Sequence, residues 1–136
     1  VTLSRPATVL AFDFGLRSIG VATGQTITRT ASEVATLRAR DGVPDWQTVD
    51  ALIRDWQPDL LLVGLPLNMD TSMSDMARRA GRFARRLGAR SGIAVEMVDE
   101  RLTSFEARGL SSDIDKQHAI AARLIAETYL NAAGTL

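Results

Sequence analysis

From Leu60 to Val63 the chain carries four large aliphatic residues in a row, with Asp59 before them and Gly64 after. A strand that meets water on one face alternates apolar and polar residues. An unbroken apolar run is the mark of a strand covered on both faces. The flanking segments supply the covers. Pro44-Asp45 opens a helix with Asp45 as N-cap, and Val49, Leu52, Ile53 and Trp56 follow at the i, i+3, i+4, i+7 spacing of one helical face. Pro58 ends it, and residues 64–70 form a loop because Gly64 and Pro66 interrupt any continuation. A second helix over about 73–90 gathers Met73, Met76, Ala77, Ala80, Phe83, Ala84 and Leu87 into one stripe. A strand over 93–98, a short helical stretch near 104–108 and a last helix over about 113–131 complete the second half. Upstream, the segments 8–13, 18–24 and 28–37 read as an antiparallel meander of three strands. Strand–helix–strand crossovers give parallel neighbours along a right-handed path. The chain therefore reads as an α/β domain. Its mixed five-stranded sheet has three antiparallel strands, then parallel strands, with helices packed on it.

The 136 residues make one domain, 1–136. With 46% apolar and 24% charged residues the composition is that of a soluble globular protein, not a disordered one. There is no cysteine, which excludes a disulfide scaffold, a thiol nucleophile and thiolate-bound zinc, and a single histidine excludes a multi-histidine metal site. No segment approaches the roughly 20 apolar residues of a membrane span, and the first residues have no apolar core of a signal peptide. Net charge is zero, so any affinity for nucleic acid must come from a local patch. Arg78, Arg79, Arg82, Arg85, Arg86 and Arg90 supply one candidate, within an arc of about 140° on the second helix. That arc reads either as a track for a phosphate backbone or as a solvated helix face. The second reading is favoured, since the arc lies opposite the stripe that packs on the sheet.

In α/β sheets function gathers where the parallel strands end. Asp13 closes the first strand and Glu100 the last, and an acid at the edge of an apolar strand is costly unless paired or metal-bound. Asp115 opens the final helix and shares a face with Ala119, Ala122 and Ala126, a surface small enough to press on a sheet and carry the acid toward the strand ends. His118 points nearly the same way. Carboxylates converging in this manner make a hard-oxygen site suited to Mg²⁺ or Mn²⁺. Each residue also has an ordinary reading. Asp13 can cap a turn, Asp115 can favour the helix dipole, Glu100 can pair with Arg101 or Arg17, and His118 reads better as a satisfied helix residue.

The stretch Asp13-Phe14-Gly15-Leu16-Arg17-Ser18-Ile19-Gly20-Val21-Ala22 resembles the opening motif of the YqgF family, pre-16S ribosomal RNA nucleases also described as Holliday junction resolvases. Three further blocks are similar to that family's, in its order: residues 63–70, with Gly64-Leu65-Pro66-Leu67-Asn68; residues 99–108, with Asp99-Glu100-Arg101-Leu102-Thr103; and Asp115 with the alanines after it. The resemblance implies a ribonuclease H-like fold and a divalent-metal-dependent nuclease in the bacterial cytoplasm, trimming the 5′ end of pre-16S ribosomal RNA. It implies Asp13, Glu100 and Asp115 as the catalytic, metal-holding triad. It implies Arg17, Asn68 and Arg101 as substrate contacts. Hydrolysis of a phosphodiester by two divalent ions would have Asp13 bridge them, with Glu100 and Asp115 each holding one side. Partners would be RNA or structured DNA, with ribosomal particles, no membrane, and a monomer or homodimer. Two departures stand out. Only Gly109 to Ile114 separate Arg108 from Asp115, where the family carries a longer segment, and His118 holds a place that related resolvases often give to a second acid. Two other classes stay open. A nucleotide-binding domain of the sugar-kinase and actin type shares the Asp-x-Gly turn but needs a second lobe. A scaffold on the same fold would bind RNA without cutting it.

Overall fold

The computed structural model describes residues 6–66, 73–100 and 113–133, with the side chains of residues 114 and 115 outside that description. The apolar run becomes β5 (Leu60–Leu65). It lies between two parallel neighbours, β1 (Thr8–Asp13) and β6 (Val95–Asp99). Its side chains divide as a doubly covered strand requires. Leu61 and Val63 enter one core cluster, Leu60 and Leu62 the other, and all four are fully buried.

The meander forms as expected. β2 (Ser18–Gln25) runs antiparallel to β1, and β3 (Thr30–Arg40) runs antiparallel to β2 with a bulge between Val21 and Ala22. The five-strand expectation needs one correction. A short β4 (Val43–Pro44) pairs with Ala39 and Arg40, making a six-stranded sheet in the order β4-β3-β2-β1-β5-β6. The cause is the turn at Asp41 (φ 54°) and Gly42 (φ 80°). Two consecutive positive φ angles give the turn whose twist matches a hairpin, and Asp-Gly is its strongest sequence signal. Pro44 keeps the new strand at the edge, where no ladder donor is needed.

Helix α1 (Trp46–Trp56) starts where Asp45 accepts a hydrogen bond from the Gln47 amide at 3.0 Å. It buries Val49, but Trp56, expected on the packed face, is 40% exposed at the helix end. Helix α2 (Asp75–Ser91) is capped by Ser74, which accepts from the Ala77 amide at 3.0 Å. It buries Ala77, Ala80, Phe83, Ala84 and Leu87, whereas Met73 precedes the helix and is exposed. Phe83 lies 5.5 Å from Phe14 and 5.8 Å from Phe12, and stacks on Trp46 at 5.6 Å. A buried ring of this size is worth roughly 1.5–3 kcal/mol of transfer free energy.

Helix α3 (Ile114–Ala133) covers the opposite face. Ala122, Ile125, Ala126 and Leu130 are buried there. Asp113 starts the helix, accepting from the Lys116 amide at 3.1 Å. The close packing expected of the alanine face is real. At Gly20 a methyl group would collide with the His118 carbonyl, so strand and helix backbones touch. The helical stretch expected near 104–108 lies outside the described residues.

Candidate active site

Strand alternation decides which side chains can meet. In β1, Leu10 and Phe12 join the core under α1 and α2, while Val9 and Ala11 join the core under α3. Period two therefore puts Asp13 on the α3 face. In β6, Val95 and Met97 pack on the α2 side and Val98 on the α3 side, which puts Glu100 on the α3 face too. Glu100 directly follows the strand, and its amide donates to the Leu65 carbonyl at 3.2 Å, carrying the parallel ladder one step further.

These two acids are not on neighbouring strands, since β5 separates β1 from β6. Gly64 is what lets them meet. Phe12 pairs with Val63 and Gly64 pairs with Val98, so Gly64 lies level with Asp13, two residues short of Glu100, and on the face of both. A Cβ at Gly64 would stand 2.6 Å from Glu100 Oε2 and 2.6 Å from Ile125 Cδ1. The carboxyl group of Glu100 occupies the space a side chain would fill, and hydrogen-bonds with Asp13. Both acids are buried, Asp13 at 6% and Glu100 at 4% exposure. Burial raises the Glu100 pKa to about 10, and the Asp13 charge, the hydrogen bond with Asp13 and the Asp99 charge push the same way. At neutral pH Glu100 thus keeps its proton and donates to the Asp13 carboxylate.

The third described member is His118. Its Nδ1 lies 3.0 Å from Asp13 Oδ2. A hydrogen on Nδ1 lets the imidazole donate to that oxygen. One turn of α3 brings the ring onto the strand-end acid, which satisfies one of its nitrogens. Asp115 lies in the first turn of the same helix, three residues earlier, with its side chain outside the described residues. Asn68 and Arg101 are also outside them. Arg17 is exposed in the β1–β2 turn, which is held by bonds from the Ala39 amide to the Arg17 carbonyl and from the Gly42 amide to the Leu16 carbonyl, both 2.9 Å.

Among the described residues no set of three or more acidic or histidine side chains has the arrangement of a metal site. The donor chemistry nonetheless suits a hard divalent cation. Two buried carboxyl groups joined by one proton mark a place where a cation can replace that proton. The reading from sequence missed Gly64, taking it only as a strand breaker. Its signal was a glycine at the end of an otherwise bulky apolar strand, where close approach of another group is the usual reason.

A mixed sheet opening with an antiparallel meander, with acids collected where its parallel strands end, is a ribonuclease H-like fold. The chain belongs to the RuvX family, described as Holliday junction resolvases, whose family model matches residues 7–132. A Marinobacter nauticus protein named "Putative pre-16S rRNA nuclease" is 59% identical over 101 residues, spanning 74% of this chain and 71% of the relative. A Nitrosococcus oceani protein of the same name is 48% identical over 143 residues, spanning 98% of this chain and 92% of the relative. Among solved structures, Thermus thermophilus RuvC in complex with a Holliday junction superposes with TM-score 0.56 at 12% identity, covering 93% of this chain and 94% of that one. A fowlpox virus resolvase with Holliday junction DNA superposes with TM-score 0.53 at 11% identity, covering 92% of this chain and 97% of that one. At such identities the likeness is one of fold. Family membership makes this chain a nuclease, a hydrolase of phosphodiester bonds.

Proposed function

We propose that this chain is a divalent-metal-dependent nuclease that processes the 5′ end of pre-16S ribosomal RNA in the cytoplasm, with residues 1–136 as one catalytic domain. The observation that carries the reading is the pair of buried, hydrogen-bonded carboxyl groups of Asp13 and Glu100 at the ends of parallel strands. The names of the relatives point to the substrate. Asp13, Glu100 and Asp115 hold the metal. When bound, Mg²⁺ or Mn²⁺, as a pair of ions, supplies an activated water and stabilises the departing oxygen.

The remaining residues have separable tasks. His118 fixes the rotamer of Asp13 through Nδ1, as partners of metal-holding carboxylates commonly do. Gly64 keeps the strand between the acids bare, so that the two carboxyl groups face one another. Arg17, Arg101 and Asn68 hold flanking phosphates and sugars, the arginines by charge-assisted bonds. Ribosomal particles fit this role as partners.

A second reading, resolution of four-way DNA junctions, is favoured by the family's own description. It requires a symmetric dimer, because two strands must be cut. The test is one cleavage panel of pre-16S ribosomal RNA, unstructured single-stranded RNA and a four-way DNA junction, each with and without Mn²⁺. Cleavage of the precursor that needs Mn²⁺ and falls to background in Asp13→Asn supports the proposal. Cleavage of the junction alone moves the assignment to resolution. Precursor cleavage that Asp13→Asn leaves at the wild-type rate overturns the proposed site.

A further inference from the structure

Arg79, Arg82 and Arg86 are three, four and seven residues apart in α2, which confines them to an arc of about 60°. They form one wall of a groove whose other residues include Phe14, Asp41 and Trp46. Among the described residues, three arginines and one carboxylate, Asp41, line the groove. Two of them are uncommitted: Arg82 and Arg86 are exposed, and neither makes an ion pair or hydrogen bond with any described residue. Other arginines of the helix are engaged differently. Arg79 also pairs with Asp75 at 3.2 Å, and Arg90 grips Asp50 through two bonds of 2.9 Å.

The groove begins beside the acids. Phe14 directly follows Asp13, and strand alternation turns the two side chains to opposite faces of the same sheet edge. Phe14 packs on Phe83 at 5.5 Å, and the β3–β4 turn leans on it at Gly42. The same turn is bonded to the β1–β2 turn that carries Arg17. Part of the arginine arc, favoured from sequence as a solvated helix face, therefore reaches the edge where Asp13 lies.

We propose that this groove binds the phosphate backbone of the substrate polynucleotide after it crosses the sheet edge, with Arg82 and Arg86 as the phosphate contacts. The proposal rests on the nuclease reading above and extends it to a second surface, on the face away from the metal-holding acids. It also assigns the mode of recognition. Trp46 is stacked on Phe83, with Arg90 over its ring at 5.6 Å. The aromatic wall is thus already used within the protein, and the groove takes phosphates without reading bases.

The test is binding of a fluorescein-labelled single-stranded RNA of about 20 nucleotides, followed by anisotropy over a range of salt in EDTA so that no cleavage intervenes. Arg82→Gln/Arg86→Gln is compared with Arg78→Gln/Arg85→Gln, a pair equally exposed on the same helix but outside the groove. Each single-strand phosphate contact contributes about 0.7 to the slope of log K against log salt. The groove pair should flatten the slope by about 1.4 and weaken binding to RNAs of different sequence alike, while the control pair leaves the slope within about 0.3 of wild type. Equal slopes for the two variants, or no binding by the wild type, overturn the proposal. Cleavage measured in parallel with Mn²⁺ keeps the two claims apart. The groove pair should raise KM at unchanged kcat, and a wild type that binds through the groove but never cleaves sinks the nuclease assignment alone.

Discussion

His118 and Asp13 lie 105 residues apart in sequence and 3.0 Å apart in the fold. The contact predicts a graded response. His118→Ala should lower activity about 10- to 100-fold at fixed Mn²⁺, the usual effect of removing a partner that orients a metal-holding carboxylate. His118→Asn, which keeps a donor near the Nδ1 position, should recover part of the loss. Equal activity of all three proteins in a Mn²⁺ titration contradicts the positioning role. Gly64 makes a harsher prediction. Its missing side chain is the space Glu100 occupies, so Gly64→Ala forces the carboxyl group or Ile125 to move. Overpacking of this kind costs about 1–3 kcal/mol. Thermal unfolding should show that loss, and cleavage should fall at temperatures where the variant is still folded.

At the scale of elements, the β3–β4 turn depends on Gly42, held at φ 80° with Phe14 Cζ only 2.6 Å from where a Cβ would sit. Gly42→Ala should destabilise the chain by about 1 kcal/mol or more, read as a lower midpoint in urea. The elements show how far the sequence could be read. β5 and both crossover helices were legible because a continuous apolar run and a 3.6-residue period are local signals. Asp41-Gly42 was as local and went unread, since two residues of pairing leave no periodicity. Met73 and Trp56 fit their helical stripes by spacing yet stand exposed, because the packed surface ends before each helix pattern does. The acids were legible as polar residues ending apolar strands. That Glu100 crosses a whole strand to reach Asp13 was not, since it depends on register between β5 and its neighbours and on one absent side chain.

For the whole molecule, the Glu100 proton links folding to pH. Its pKa stands at about 10 in the folded chain against an ordinary 4.5. Between those values the folded state holds a proton that the unfolded chain gives up, so stability falls as pH rises from about 4.5 to about 10. Melting in EDTA should therefore show a decline with pH that Glu100→Gln removes. Added Mn²⁺ should raise the melting temperature of the wild type most at the alkaline end, where displacing the proton costs least. A flat profile shared by both proteins contradicts the buried pair. None of the described helices is long and apolar enough to cross a membrane.

Gly20 has a mechanical consequence. With backbone resting on backbone there, α3 has no compressible layer beneath it, so its height above β2 is set by van der Waals contact. Any larger residue at position 20 would act as a shim, lifting His118 off Asp13 while every residue named as a metal holder stayed chemically intact.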